Sequence, residues 1–289
     1  MSDIRIVTLT ALAMLAFAGN SLLCRLALQH TPIDPASFTA IRLVGGALML
    51  WLVVTLKRSA HAHAHATVKT GGGNWLSAFA LFVYAAGFSF AYVSLSAATG
   101  ALLLFGAVQA TMIGHGMWAG ERFGRPQWVG LALAFCGLLS LLLPGLSAPP
   151  LFGSALMLCA GVAWGIYSLR GKGAGDPTLV TAGNFMRAVP MALVLSVLML
   201  NNRSLDALGL GYALASGALA SGVGYAIWYT ALPGLKATQA ATVQLSVPVL
   251  AAVGGIVFLG EALTLRLILA SMAILGGIAL VIWKRHHLQ

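Results

Sequence analysis

Charged side chains are scarce in this sequence. Only 8% of the 289 residues are charged and 60% are hydrophobic, whereas a soluble domain carries about 25% charged residues. Apolar runs of about 20 residues, long enough to cross the hydrocarbon core of a bilayer, lie at 5–29, 34–57, 74–95, 97–119, 125–144, 150–170, 178–200, 207–231, 235–260 and 264–284. The linkers are too short for a soluble domain. We therefore expect an all-α membrane protein with ten transmembrane helices.

Acidic residues are scarcer still, and none lies in the middle of an apolar run. The six are Asp3, Asp34, Glu121, Asp176, Asp206 and Glu261. Carboxylates inside the membrane are the usual proton relays and the usual counter-ions for cationic drugs. Their absence argues against a proton-driven multidrug pump and favours a neutral or zwitterionic substrate. A coupled alternative would depend on His115, the titratable group that lies within the fourth run.

Cysteine is limited to Cys24, Cys136 and Cys159, all in apolar runs and without CxxC spacing. We expect them to pack against other helices, with no disulfide framework. The alternating histidines of the linker at 61–74 lack a preformed zinc geometry, so this stretch is expected to be a flexible loop rather than a metal site. The Gly-x-Ser-Gly motif of intramembrane serine proteases is also missing. No cofactor, metal or enzymatic activity is expected.

Basic residues explain the net charge of +10 without a nucleic-acid partner. With the N-terminus inside, eleven of the sixteen fall on the cytoplasmic side: Arg5, Lys57, Arg58, Lys69, Arg122, Arg125, Arg170, Lys172, Lys236, Lys284 and Arg285. Cytoplasmic loops of membrane proteins carry this excess. Both termini of this multi-pass protein are therefore expected in the cytoplasm, with the chain in a bacterial-type inner membrane.

The sequence repeats itself. An offset of 140 carries "GERFGRPQWVGLALAFCGLL" at 120–139 onto "GEALTLRLILASMAILGGIA" at 260–279, so that Glu121 maps to Glu261. An offset of 145 carries Arg42 to Arg187, and one of 137 carries Phe88 to Tyr225. We expect a five-helix unit at 1–146 and a second at 147–289. An odd number of crossings inverts the second unit, which is the architecture of alternating-access carriers.

These features resemble the drug/metabolite transporter superfamily and its EamA-type exporters. The matching features are the "GE" after the fourth and ninth helices, an Arg ten residues after Pro32 and after Pro177, the "AWG" at 163–165, and Pro248 thirteen residues before Glu261. The first half departs from the pattern, since Val108 stands where a proline is expected. The chain is most similar to the YddG-type aromatic amino-acid exporters, and this resemblance implies an amino-acid substrate.

Aromatic and amide side chains offer a substrate-binding surface. Tyr84 and Phe88 share a face of the third helix, and Tyr225 occupies the repeat-equivalent position of Phe88. Gln244 and Ser246 precede Pro248, which would free carbonyls of the preceding turn. The candidate binding residues are Asn20, Tyr84, Phe88, Trp164, Tyr167, Tyr225, Gln244 and Ser246. Packing between helices, or an aromatic belt at the membrane surface, is the alternative for each.

Arginines at matching places suggest gates. Arg42 and Glu261 are expected toward the outer mouth, and Arg187 and Glu121 toward the inner one, so that ion pairs across the two halves would close each mouth in turn. Pro248 would serve as a hinge. The alternative is that each Arg extends to lipid headgroups or caps helix carbonyls.

We therefore expect an alternating-access exporter of aromatic and other neutral amino acids and related metabolites, working down the substrate gradient. Its partners are a small-molecule substrate and the lipid bilayer, and a monomer would suffice. A nucleotide-sugar or phosphate-ester carrier is disfavoured because the arginines are expected at the mouths rather than at the centre. A proton-coupled drug or metabolite antiporter and a channel stay open as alternatives.

Overall fold

The computed structural model describes residues 3–61, 72–120, 122–143, 145, 148–171, 176–235 and 243–283. Over these ranges the chain forms helices and no strand. The helices are α1 (Asp3–His30), α2 (Pro35–His61), α3 (Trp75–Tyr92), α4 (Ala97–Trp118), α5 (Arg125–Leu142), α6 (Leu151–Gly171), α7 (Pro177–Leu198), α8 (Ala207–Leu214), α9 (Gly224–Ala231), α10 (Ser246–Leu259) and α11 (Leu265–Trp283).

Nine segments within the described ranges are long and apolar enough to cross a membrane. They correspond to the first eight predicted runs and to the tenth, so the all-α membrane class is confirmed. The ninth predicted run, 235–260, is represented by α10, which has 14 residues; residues 236–242 lie outside the described ranges. Large apolar side chains are exposed around the bundle, as expected of surfaces that face lipid; they include Trp51, Phe135, Phe258 and Met272.

The eighth predicted helix is not a uniform α-helix. Residues Ala207–Gly234, called the eighth span below, consist of α8, a nine-residue π-helical segment at Ala215–Val223, α9 and a short 3₁₀ turn. A π-helical segment shifts the hydrogen bonds from i−4 to i−5 and so changes which side chains face a neighbour. The segment "ASGALASGV" is rich in small residues, which lets it lie close against α2.

Pro248 follows a turn that interrupts the helix of the ninth run. The chain turns at Leu245, and α10 begins at Ser246, which places Pro248 in the first turn of the helix. A proline costs little there, because the N–H groups of a first turn have no intrahelical partner. The Ser246 hydroxyl donates a hydrogen bond to the Val243 carbonyl at 2.6 Å across the turn.

Three of the scarce acids begin helices. Asp34 accepts hydrogen bonds from the backbone N–H groups of residues 36 and 37, Asp176 from those of residues 178 and 179, and Asp206 from that of residue 209. A helix start offers unpaired N–H groups and the positive end of the helix dipole. These carboxylates are therefore used for capping.

Small residues set the helix packing. A Cβ added to Gly130 of α5 would lie 2.6 Å from the Gly277 carbonyl oxygen of α11, so the two backbones touch. The other main contacts join α2 to α7, α3 to α6 and α7, α4 to α6 and α10, α1 to α9 and α10, and the π-helical segment to α1 and α2. Helices α1, α2, α3, α6 and α9 thereby surround the middle of the bundle.

Candidate functional site

Aromatic rings from four helices meet in the middle of the bundle. The ring centroids of Tyr84 on α3 and Trp164 on α6 are 4.7 Å apart, and those of Trp164 and Tyr225 on α9 are 5.0 Å apart. Phe17 on α1 meets Tyr225 edge-on at 5.8 Å, and Phe88 lies 5.5 Å from Tyr84. We call these five residues the aromatic cluster. Offset and edge-on ring pairs of this kind contribute about 0.5–1.5 kcal/mol each beyond area burial.

A small cavity of about 20 Å³ lies inside the cluster. It is lined by Phe17, Asn20, Ser21, Tyr84, Phe88, Leu104, Phe105, Trp164 and Tyr225. A volume of this size holds about one water molecule, so the cluster is closed on itself in this conformation. Five of the predicted binding residues therefore line this cavity: Asn20, Tyr84, Phe88, Trp164 and Tyr225.

A polar network joins the cluster to two further elements, α2 and the π-helical segment. The Ser216 hydroxyl donates to the Asn20 side-chain oxygen at 2.6 Å, and the Asn20 amide donates to the Tyr84 hydroxyl at 3.3 Å. Arg42 Nη2 donates to the same hydroxyl at 3.0 Å. Asn20 was predicted as a binding residue, whereas Ser216 was missed. The position of Ser216 depends on the π-helical segment, and the only sign of this segment in the sequence is a run of small residues.

Arg42 lies in this network and not toward the outer mouth, which corrects the predicted gating position. Its side chain is 1% exposed, and its guanidinium carbon is 4.7 Å from the Phe88 ring centroid and 5.2 Å from that of Tyr84. Arg42 lies this deep because it is seven residues from the start of α2, a distance of about 10 Å along the helix at 1.5 Å per residue. The expectation that the arginines avoid the centre is therefore wrong, and with it the ground for disfavouring a carrier of anions.

The predicted partner of Arg42 pairs elsewhere. Glu261 Oε1 lies 3.1 Å from Arg25 Nε, in side chains that are 15% and 12% exposed. The same carboxylate accepts the Ala97 N–H, 2.8 Å from Oε2, at the start of α4. Arg25 Nη1 in turn donates to the Tyr92 carbonyl at 2.9 Å, at the end of α3. Each charge thus lies at the helix end that its sign favours.

The glycine of the "GE" pair explains how Glu261 reaches this position. Gly260 has a φ of +63°, which is left-handed, and the Glu261 N–H donates to the Gly255 carbonyl at 3.0 Å. This is the usual way in which a glycine ends a helix, and it turns the next residue back toward α4. Gly120, the repeat equivalent, also has a positive φ, of +92°. The predicted gating residue Glu121 lies outside the described residues.

At the other end of the bundle, arginines of α6 and α7 hold the start of α3. Arg187 Nη1 donates to the carbonyls of Gly72 and Gly183, both at 2.9 Å. Arg170 donates to the Ser77 hydroxyl at 3.1 Å and to the Asn74 side chain at 3.2 Å. The partners seen for Arg187 are therefore neutral backbone carbonyls. One of them belongs to the first half of the chain, so this contact does join the two halves.

The remaining predicted site residues do not line the cavity. Tyr167 is buried behind Trp164, with ring centroids 5.4 Å apart, and accepts from the Asn184 amide at 3.5 Å. Gln244 precedes the turn at Leu245 and Ser246 begins α10, and neither residue is among the cavity walls. Pro248 lines a separate apolar crevice between α4, α10 and α11. His115 is exposed in the last turn of α4.

Metal-binding side chains do not gather in the described part of the chain, where no group of three His, Cys, Asp or Glu residues is found. Most of the His-rich linker, residues 62–71, lies outside the described ranges.

Comparisons with known proteins find a transporter family and an exporter among the similar sequences. The model of the EamA-like transporter family matches residues 151–283. An uncharacterized protein of Pseudomonas aeruginosa is 59% identical over 99% of this chain and 97% of its own length. The threonine/homoserine exporter RhtA of Salmonella typhimurium is 38% identical over 53% of this chain and 54% of its own length. One crystal structure matches the fold with a TM-score of 0.66 at 16% identity, covering 97% of this chain and 98% of that chain.

Proposed function

Because residues 151–283 match the EamA-like transporter family, we propose that the chain is an alternating-access carrier of this family that exports amino acids and related metabolites across the bacterial inner membrane. The observation that carries the proposal is the aromatic cluster, closed around a small cavity between helices of both halves. An apolar, aromatic-lined space with a few convergent polar groups is the usual form of a small-molecule site.

The helix contacts support two inverted halves, 1–146 and 147–289. In such an arrangement each contact has a counterpart five helices away. Accordingly, the contact of α3 with α6 corresponds to that of the eighth span with α1. The contact of α4 with α6 corresponds to that of α10 with α1, and the contact of α3 with α7 corresponds to that of the eighth span with α2. The contacts α2–α7, α4–α10 and α5–α11 map onto themselves. The positive φ of both Gly120 and Gly260 fits the same symmetry.

Two groups of contacts would serve as gates. The Arg25–Glu261 pair ties the ends of α1 and α3 and the start of α4 to the turn after α10, whereas Arg170 and Arg187 tie the start of α3 to α6 and α7. With both termini cytoplasmic, as the basic residues favour, the Arg25–Glu261 pair faces the outside. Both groups are formed in this conformation, in which the cavity between them is closed.

The substrate proposed is a neutral amino acid. A relative over half of the chain is named a threonine/homoserine exporter, and the five rings of the cluster suit a substrate with an apolar or aromatic side chain. None of the six acids lies in the middle of an apolar run of the sequence, so transport is proposed to follow the substrate gradient without a coupled proton.

Flux in proteoliposomes tests the proposal. Labelled threonine, phenylalanine, tryptophan and a nucleotide sugar would be compared with and without an imposed proton gradient. We expect amino-acid flux that does not depend on the gradient. Exchange of the nucleotide sugar alone would refute the substrate, and stimulation by the gradient would refute the uncoupled mechanism.

A matched pair of tryptophan variants connects the flux to the site. Trp164→Ala removes a ring that touches Tyr84, Tyr167 and Tyr225, so we expect amino-acid flux to fall by about tenfold or more, the usual effect of losing a central aromatic anchor. Trp51→Ala removes a ring that is 55% exposed on α2 and should leave the flux within about twofold. Equal loss in both variants would argue against the cluster as the binding site.

A further inference from the structure

Arg42 is a buried cation with unused hydrogen-bonding capacity. It is 1% exposed, donates through Nη2 to the Tyr84 hydroxyl, and has no hydrogen-bond partner at Nη1. A guanidinium carries five N–H donors in a planar fork. The rings of Phe88 and Tyr84 stabilise its charge from the face, and this interaction is weaker than that with an anion.

The carboxylates of the described residues are engaged elsewhere or distant. Asp34, Asp176 and Asp206 cap helices, Glu261 pairs with Arg25, and Asp3 is exposed at the start of α1. Within the described part of the chain, no acid forms an ion pair with Arg42. A buried charge without a counter-ion is costly. An anion that binds beside Arg42 would offset this cost.

We infer that Arg42 binds the carboxylate of the transported molecule, which makes the cavity a site for a monocarboxylate. The inference rests on the proposed function and adds the group that selects the substrate. The planar fork of a guanidinium matches the two oxygens of a carboxylate, and one positive charge balances one negative charge. Tyr84 and Phe88 both contact the guanidinium and both line the cavity, so a substrate enclosed by these rings has its charged end beside Arg42.

The same arrangement provides for the ammonium group of an amino acid. Phe17 and Trp164 present ring surfaces around the cavity, and aromatic faces attract a cation when it is desolvated. The zwitterion then meets a cationic group at one end and aromatic faces at the other. An amine without the carboxylate would place its charge beside Arg42 uncompensated, so the cavity should reject it.

Competition in proteoliposomes tests this selection with the full-length protein. Unlabelled phenylalanine, phenylalaninamide, phenylethylamine and phenyl phosphate would be offered against labelled phenylalanine and labelled threonine. We expect phenylalanine to compete at least about tenfold better than the amide or the amine, because a site built around a charged partner discriminates strongly against an analogue that lacks it. Equal competition by the amide would overturn the inference while leaving amino-acid transport established. Better competition by phenyl phosphate than by phenylalanine would overturn the carboxylate assignment.

Variants of Arg42 locate the effect. Arg42→Lys keeps the charge and should keep a preference for the acid over the amide with a raised KM, whereas Arg42→Gln should lose the preference. Arg266→Gln is the matched control, since Arg266 donates to carbonyls at the end of α5, and it should keep the wild-type preference. Unchanged preference in a monodisperse Arg42→Gln protein would overturn the assignment to Arg42.

Thermal unfolding in detergent separates failure of the inference from failure of the proposed function. If labelled amino acids do not move in the wild type, export of amino acids is refuted. Stabilisation of the wild type by phenylacetate, weakened in Arg42→Lys, lost in Arg42→Gln and not given by phenylethylamine, would still support a carboxylate site. Stabilisation by inorganic phosphate alone, or by none of these compounds, would overturn it.

Discussion

Arg25 and Glu261 form an ion pair, with 3.1 Å between Nε and Oε1, at the junction of α1, α3, α4 and the turn after α10. The two residues are 236 positions apart in the chain. The pair joins the first half to the second at one end of the bundle. Its charges also satisfy one helix start and one helix end, so removing either side chain leaves backbone groups as well as a charge without a partner.

We predict energetic coupling between these two residues. Arg25→Gln and Glu261→Gln should each destabilise the folded protein and slow transport, while the double variant should be less impaired than the sum, with a coupling of about 0.5–3 kcal/mol. Thermal unfolding and proteoliposome flux of the four proteins measure it. Because the side chains are partly exposed, a value near the lower end is expected. Strict additivity would show that the pair does not close this end as a unit.

The left-handed turn at Gly260 leads to a second prediction. Gly260→Ala should lower the free energy of unfolding by about 1 kcal/mol, because alanine adopts a positive φ poorly. The added Cβ meets no atom within 4 Å, so the cost is conformational rather than steric. Gly276→Ala in α11 is the control, since it too meets nothing within 4 Å and has no positive φ. Equal melting temperatures for the two variants would contradict the role of the turn.

Close packing of the π-helical segment on α2 leads to a third. A Cβ on Gly217 would overlap the Arg42 carbonyl oxygen, so Gly217→Ala should destabilise the protein by about 1–3 kcal/mol, the usual cost of overpacking. It should also reduce transport, because the shift moves Arg42. Gly211→Ala in α8 is the control, because a Cβ added to Gly211 would meet no atom within 4 Å. This variant should be neutral or slightly stabilising. Differential scanning calorimetry of both variants measures their melting temperatures. An unchanged melting temperature for Gly217→Ala would contradict the close contact.

The fourth prediction concerns the network beneath the cluster. Ser216→Ala removes the hydroxyl that donates to the buried Asn20 oxygen at 2.6 Å, which leaves that oxygen unsatisfied at a cost of about 1–3 kcal/mol. We expect a lower melting temperature and a raised KM for amino acids, since Asn20 lines the cavity. Ser140→Ala is the control, because Ser140 donates to the carbonyl of residue 137 within α5. Similar KM changes in both would argue against the network.

Sequence patterns predicted the cluster better than they predicted the charges. Tyr84 and Phe88 are four residues apart, so a helix places them on one face wherever its ends lie. The place of Arg42 depends instead on its depth along α2 and on the length of its side chain, and the pairing of Glu261 depends on the turn at Gly260. Ser216 was missed because a π-helical segment departs from the 3.6-residue period on which face assignments depend.

Counterflow in proteoliposomes tests the central claim most directly. Vesicles loaded with unlabelled phenylalanine and diluted into a trace of labelled phenylalanine should accumulate label transiently above its equilibrium level, and Trp164→Ala should abolish this overshoot while Trp51→Ala keeps it. An overshoot shows that one site is exposed to the two sides in turn. Label that equilibrates without an overshoot in the wild type would show a channel and contradict alternating access, and vesicles that take up no label at all would contradict amino-acid transport.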